Sequence, residues 1–356
     1  MTAANDTTAP VLRVHDLVVS YALGGGQHMR AVDRVSFDIA RGETLGLVGE
    51  SGCGKSSVAR AVMQLSPIAG GEVRLEGEDL AALPRAALKR LRRRFQMIFQ
   101  DPISSLNPRR RVRDILEAPL KVNGLYDKAT SGKRIAEALE IVGLDAAAVL
   151  ERHPHEFSGG QCQRLSIARA LILEPTLLVC DEPVSALDVS VRAQVLNVLN
   201  GLRERLGLSM LFISHDLSVV RNVADRVAVM YLGAICEIGD AREVLHRPAH
   251  PYTAALLSAV PVADPDAVPQ RIALQGDMPS AMNLPSGCRF RTRCPAAQAR
   301  CASEEPALAP LADGRRVACH FPFSVAVPAP AATARSHEVP PASAPAAGPF
   351  LLSTQE

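Results

Sequence analysis

An α/β fold built around a phosphate-binding loop is predicted by three observations. The segment Gly49-Glu50-Ser51-Gly52-Cys53-Gly54-Lys55-Ser56-Ser57 fits G-x-x-x-x-G-K-[ST]. It follows a short apolar run, Thr44 to Val48, that reads as a buried strand, and it precedes Val58 to Leu65, whose apolar spacing is helical. Two more buried strands end in polar side chains: Leu177 to Asp181-Glu182 in two carboxylates, and Met210 to Ser214-His215-Asp216 in a histidine. The glycines let backbone N–H groups turn inward around a polyphosphate, and the helix N-terminus adds a favourable dipole. Lys55 would reach the outer phosphates and the Ser56 hydroxyl would coordinate Mg²⁺.

Composition bounds the rest. At 356 residues the chain exceeds one ordinary domain, so a core of about 240 residues with extensions is expected. Net charge is only +2, there is no Trp and aromatic residues are 4%, which argues against a nucleic-acid partner. No apolar run approaches the ~18–20 residues that span a bilayer. Met1 to Asp6 has neither a basic nor an apolar signal-peptide region, so an intracellular chain is expected. Eight cysteines in a reducing compartment point to metal binding or burial rather than disulfides.

In chain order, residues 1–10 are expected to be disordered. Val11 to Val14, Leu17 to Tyr21 and Ala31 to Ile39 alternate like strands, with a glycine turn at Gly24–Gly26, so a small β layer precedes the loop. Tyr21, at the edge of that layer, either stacks on a nucleobase or covers core. Gly70 to Gly77 reads as a strand, and the basic run Leu88 to Arg94 as a solvated helix face. Phe95 to Gln100 reads as a strand ending in an amide, and residues 112–150 are mostly helical. Phe157-Ser158-Gly159-Gly160-Gln161 is a small-residue turn before the helical run Cys162 to Leu173, a second anion-binding geometry. Beside a phosphate loop, one carboxylate of Asp181-Glu182 can hold the Mg²⁺ shell while the next polarises water for attack on the γ-phosphate.

Together these residues resemble the ATP-binding subunit of an ABC transporter. Gly49 to Ser56 is similar to the Walker A loop, Gln100 to the Q-loop, and Ser158-Gly159-Gly160-Gln161 to the signature. Leu177 to Asp181 resembles Walker B, with Glu182 at the catalytic-base position, Ser185 to Asp188 the D-loop and His215 the switch histidine. The match covers roughly residues 11–245. Gly49 to Ser56, Gln100 to Pro108, Asp181 to Ser190 and Pro285 to Pro295 look like the oligopeptide/dipeptide importer group, closest to its F-type ATPase subunit. Cys162 and Ser57 depart from the usual residues without removing a catalytic group.

The resemblance implies a P-loop NTPase fold: a RecA-like core with an antiparallel β subdomain, a helical subdomain inserted at about 101–165, and a Cys-rich extension at 246–325. It implies ATP and Mg²⁺ as ligands, with Tyr21 on adenine, Lys55 on phosphate, Ser56 and Gln100 on the metal and Asp181 in its outer shell. Glu182 would act on water, His215 on the γ-phosphate, and Asp188 would couple two sites. The signature would act in trans in a head-to-tail dimer with a D-type paralogue, on two permease subunits and, indirectly, a periplasmic binding protein. The location implied is the cytoplasmic face of the inner membrane, and the function uptake of di- or oligopeptides or related solutes. A soluble ABC-type ATPase not coupled to transport is the alternative. It fits less well, since the chain has one copy of each motif and about 100 residues between Walker A and signature, with no long coiled-coil insertion.

Past about residue 240 the chain turns Pro-rich. Cys288, Cys294, Cys301 and Cys319 then follow, spaced by five, six and seventeen residues without a C-x-x-C pair. Arg289, Arg291, Arg293 and Arg300 beside them would lower thiol pKa values and offset thiolate charge. These are either free thiols in a satellite core or metal ligands. The importer resemblance implies the latter, as one [4Fe–4S] cluster with zinc second. Cys53, Cys162, Cys180 and Cys236 are read as non-ligands. Residues 326–356 form an Ala/Pro tract expected to be disordered.

Overall fold

The computed structural model describes residues 9–23, 25–26, 28–260 and 271–325. Of the disorder expected at residues 1–10, residues 1–8 lie outside them, as does the 326–356 tract.

Strands β1 (Leu12–Ala22) and β2 (His28–Ile39) pair antiparallel, with Leu12 opposite Ile39 and Ala22 opposite His28. The two short strands expected at 11–14 and 17–21 are one bulged strand. Its register shifts around Asp16, which sits at φ 45° with its N–H on Ser36 Oγ. After β3 (Thr44–Val48) and α1 (Lys55–Val62), β4 (Gly70–Leu75) pairs with β1, and β5 (Glu78–Asp79) completes a four-stranded sheet ordered β2-β1-β4-β5.

Then come α2 (Arg85–Leu91) and β6 (Phe95–Ile98), and a helical stretch of α3 (Pro102–Ser105), α4 (Val112–Val122), α5 (Ser131–Ile141), α6 (Ala146–Val149) and α7 (Gly159–Leu171). The chain returns to β7 (Leu177–Asp181), α8 (Val189–Leu206), β8 (Ser209–Ser214), α9 (Leu217–Arg221), β9 (Arg226–Tyr231) and β10 (Ala234–Asp240). It ends with α10 (Ala241–His246), α11 (Pro251–Ser258), α12 (Ala299–Ser303), β11 (Ala309–Pro310) and β12 (Arg316–Val317).

The main sheet is ordered β11-β12-β10-β9-β3-β8-β7-β6, parallel from β9 through β6 and antiparallel at the other edge. β3, β7 and β8 are buried at every position, which is why they read as unbroken apolar runs. Successive side chains leave opposite faces and feed two cores. Leu45, Leu47, Leu177, Val179, Leu211 and Ile213 meet α1 and the antiparallel sheet. Val48, Leu178, Cys180, Met210 and Phe212 meet the helices and the C-terminal segment. With helices on both faces and its parallel strands ending together, the sheet gathers the side chains expected to be functional at the C-terminal ends of those strands.

The C-terminal segment joins this sheet: β12 pairs with β10, placing Val317 opposite Glu237. The fully buried Arg315 secures it. Its guanidinium donates to Glu237 Oε1 (3.3 Å), Asp313 Oδ2 (2.6 Å) and the carbonyls of Glu243 (3.0 Å) and Arg247 (2.6 Å). A buried cation so fully bonded avoids the desolvation cost that an unpaired one would carry.

Candidate functional site

The phosphate loop leaves β3 at Gly49 (φ 155°) and enters α1 after Gly54 (φ 110°). A Cβ at Gly54 would lie 2.3 Å from the Ala31 carbonyl oxygen, and one at Gly49 would lie 2.2 Å from that of Met230. Both glycines are therefore required by close backbone approach, and the conformation of Gly54 also excludes a side chain. Lys55 is buried. Its ammonium donates to the carbonyls of Gly49 (2.8 Å) and Glu50 (2.9 Å), so the loop folds around this cation.

At the sheet edge the carboxylates come into register with the loop. Ser56 Oγ donates to Asp181 Oδ1 at 3.0 Å, joining residues that are 125 positions apart. Burial pushes the Asp181 carboxyl upward, and the neighbouring Glu182 adds to the rise against the Ser56 hydroxyl. A buried carboxylate and a hydroxyl side by side are hard oxygen donors, the type that suits Mg²⁺. Glu182 turns off β7 in the left-handed region at φ 47°. There its Oε2 accepts from Gln100 Nε2 (3.0 Å) and lies 3.2 Å from His215 Nδ1. One cavity of about 670 Å³ is lined by Tyr21, Glu50, Ser51, Gly52, Gly54, Lys55, Ser56, Ser57, Gln100, Glu182 and His215. Tyr21 is held in its wall by a 3.2 Å hydrogen bond from its hydroxyl to Ser57 Oγ.

The remaining expected residues lie elsewhere. Ser158 caps α7: its Oγ accepts from the N–H of Gln161 (3.3 Å), and Gln161 Oε1 accepts from the N–H of Ser158 (3.0 Å). Asp188 caps α8, accepting from the Val191 N–H (3.0 Å) and the Ser190 hydroxyl (2.9 Å). Ser158, Gln161 and Asp188 are exposed, and none of Ser158 to Gln161 lines the cavity. Beside Asp188, Val189 is 81% exposed, an apolar side chain left uncovered next to a charged cap.

Family profiles match two parts of this chain: "ABC transporter" over residues 32–185, and "Oligopeptide/dipeptide transporter, C-terminal region" over 236–301. A putative peptide import ATP-binding protein of Brucella ovis is 51% identical over 313 residues, covering 88% of this chain and 98% of the relative. The oligopeptide transport ATP-binding protein OppF of Escherichia coli is 46% identical over 321 residues, covering 86% and 95%. The chain belongs to the ABC transporter family. It is an ATP-binding, ATP-hydrolysing subunit of a transporter. Among solved structures, the dimeric post-hydrolysis state of the ATP-binding cassette MJ0796 bound to ADP and Pi superposes with a TM-score of 0.59 at 27% identity, covering 65% of this chain and 99% of that one.

The C-terminal region of this ABC subunit departs from expectation. Cys288, Cys294, Cys301 and Cys319 do converge, all as free thiols, on one cavity with Phe290, His320 and Phe321. That cavity is about 10 Å³, room for roughly one water molecule. Among the described residues no group of three or more His, Cys, Asp or Glu is spaced to hold a metal ion. Four thiols are the donor type of a thiophilic metal, but neither their spacing nor the space between them fits a [4Fe–4S] cluster.

The electrostatic expectation is also reversed. Burial pushes the Cys288 and Cys294 thiols up, and burial with the other three cysteines takes Cys319 to about 11. The neighbouring arginines are engaged elsewhere: Arg289 with Asp33 and Glu305, Arg293 with Glu50, Arg300 with Glu304, and Arg291 with Ser286.

Sequence reasoning missed several residues at the cavity. Met29, Ala31 and Leu256 line it. Arg293 and Tyr252 reach the phosphate loop from behind, through Glu50. Nothing local signals those contacts, because Arg293 stands 243 positions from Glu50 and reads as a neighbour of the cysteines.

Proposed function

We propose that this ABC subunit energises uptake of di- or oligopeptides, or related solutes, at a head-to-tail ATPase dimer docked on two permease subunits at the cytoplasmic face of the inner membrane. The observation that carries the substrate class is the match of residues 236–301 to the oligopeptide/dipeptide transporter C-terminal region. The OppF likeness favours a D-type paralogue as the second ATPase and a periplasmic binding protein as the indirect partner. A dimer is supported by the signature turn, whose Ser158 and Gln161 are exposed and which does not line the chain's own cavity, and by the uncovered Val189.

ATP would lie in the 670 Å³ cavity with adenine against Tyr21 and its phosphates over Gly49 to Ser57. Lys55 would exchange its two carbonyl contacts for phosphate oxygens, a charge-assisted and stronger partner. Ser56 and Gln100 would hold Mg²⁺, with Asp181 in the outer shell. Bound there, the ion supplies neutralisation of phosphate charge. Glu182 would draw the proton from a water that attacks the γ-phosphorus, the bond to the β-phosphate oxygen breaking to release ADP. His215, already on Glu182, would contact the γ-phosphate, and Gln100 would link the site to the helical stretch. In the partner's site, Ser158 to Gln161 would supply donors to the γ-phosphate, and Asp188 would connect the two sites. ATP then joins two chains and its hydrolysis releases them, a population shift driven by differential affinity for the closed dimer.

The four thiols are the candidate ligands of a structural metal centre, supported by their convergence on one cavity. A cluster requires the cavity walls to move apart; a single zinc ion requires less. Iron, acid-labile sulfide and zinc content of anaerobically purified protein distinguishes them, and protein free of all three removes the metal. For transport, the chain is reconstituted with its permeases and paralogue in vesicles. ATP-dependent accumulation of labelled peptides is the expected result, and ATPase activity indifferent to every peptide and to the permeases would reject import.

A further inference from the structure

Glu50, the first variable residue of the phosphate loop, is held from behind by the C-terminal segment at two points. Arg293 makes a bidentate pair with its carboxylate, Nη1 to Oε2 at 2.7 Å and Nη2 to Oε1 at 3.1 Å. Tyr252 accepts the Glu50 backbone N–H on its hydroxyl at 2.9 Å. The third contact runs forward, since the Glu50 carbonyl receives the Lys55 ammonium at 2.9 Å. Amide, carboxylate and carbonyl of one residue are all committed, so its orientation leaves little freedom.

The holders are themselves rigid. Tyr252 is fully buried, and its ring packs on Tyr231 (4.7 Å between centroids) and Phe290 (5.3 Å). The Arg293 side chain is 9% exposed, against 29% for Glu50, and its guanidinium carbon lies 6.0 Å from the centre of the Tyr231 ring. Arg289, four residues earlier, anchors the same turn to the Leu232 carbonyl at 2.7 Å. A bidentate guanidinium–carboxylate pair sheltered in this way is directional, unlike a solvated ion pair.

We propose that Arg293 and Tyr252 are positioning residues for ATP: through Glu50 they set the phosphate loop and Lys55, and Arg293 cancels a carboxylate charge in the wall of the triphosphate cavity. Without the guanidinium, Glu50 is left charged beside the site of an anion. Repulsion between like charges in a partly desolvated pocket weakens binding of the triphosphate more than it slows the chemistry, which falls to a different lining residue, Glu182. The C-terminal region thereby acquires a part in nucleotide affinity. This inference rests on the ATP reading of the cavity.

The test uses the full chain for Mg²⁺–ATP binding by calorimetry, and the reconstituted transporter for steady-state hydrolysis. Arg293→Ala is expected to raise the ATP Kd and KM about tenfold or more, while kcat at saturating ATP stays within about twofold. Arg293→Lys, which keeps charge but not the fork, should fall between. The deciding variant is Arg293→Ala/Glu50→Gln: neutralising the orphaned carboxylate should recover most of the lost affinity, which no general loosening of the fold would do. Wild-type Kd in both Arg293 variants overturns the proposal. So does a double variant as weak as, or weaker than, Arg293→Ala. Should Arg293→Ala not fold, Arg293→Lys with and without Glu50→Gln asks the same question. A wild-type chain that binds no ATP would instead refute the cavity assignment, and Lys55→Ala marks the floor of the assay.

Discussion

Glu182→Gln isolates the proposed chemistry from nucleotide binding. The amide keeps the volume of the carboxylate, and its oxygen can occupy the position of Oε2, 3.0 Å from Gln100 Nε2 and 3.2 Å from His215 Nδ1. The Glu182 side chain is 13% exposed while His215 is 53% exposed, so the local contacts adapt and the fold loses little. Lys55, Ser56 and Asp181 are untouched, and one negative charge leaves the cavity. ATP affinity is therefore expected to hold or tighten. What disappears is the proton acceptor. General-base participation contributes about 10²–10⁴-fold, equivalent to about 3–5 kcal/mol of barrier. Steady-state phosphate release should fall at least a hundredfold, and size-exclusion chromatography with Mg²⁺–ATP should show an accumulated dimer. Turnover within about tenfold of wild type, with ATP binding intact, would refute the role of Glu182.

Three other outcomes are expected. Lys55→Ala removes the charged donor proposed to meet the phosphates, at a cost of about 2–3 kcal/mol; equilibrium binding should weaken roughly a hundredfold and ATP should no longer bring two chains together. Gly160→Ala puts a Cβ 2.2 Å from Val191 Cγ1 where α7 meets α8, whereas Gly159→Ala meets only Leu187 Cδ2 at 3.7 Å. The first should lower stability by about 1–3 kcal/mol in denaturant titration, and the second much less. His250 is buried, with Nδ1 accepting the Tyr252 N–H (3.0 Å), and burial lowers its pKa from 6.5 to about 4. Its folded pKa is depressed, so its contribution is whole above pH 6.5 and is lost as pH falls toward 4, about 3 kcal/mol in all. Asn at this position retains a capping acceptor. Urea midpoints followed from pH 7 to 4 should therefore fall more steeply in wild type than in His250→Asn, and parallel profiles would contradict this.

Much of the molecule was legible because its information is local. A parallel central strand is buried on both faces and so reads as an apolar run, and a phosphate loop needs its glycines where backbone crowds backbone, as Gly49 and Gly54 do. Asp181 and Glu182 were placed correctly at a strand end. The bulge at Asp16 was not legible, because alternation within each half of β1 looks the same whether or not the two halves join.

The cysteine-rich segment marks the other limit. Arginines adjacent in sequence suggested lowered thiol pKa values, yet Asp33, Glu50, Glu304 and Glu305 take three of those charges, and burial raises Cys288, Cys294 and Cys319 instead. The one-dimensional chain determined the phosphate loop, the acidic pair, the histidine and the family, since each is a pattern within a few residues. Tertiary structure alone decided that the signature turn stands outside the chain's own cavity, and that Arg293 and Tyr252 brace the loop through Glu50. Those are matters of which distant surfaces meet. That depends on packing across the sheet, where a pairing over 243 positions leaves no periodic trace.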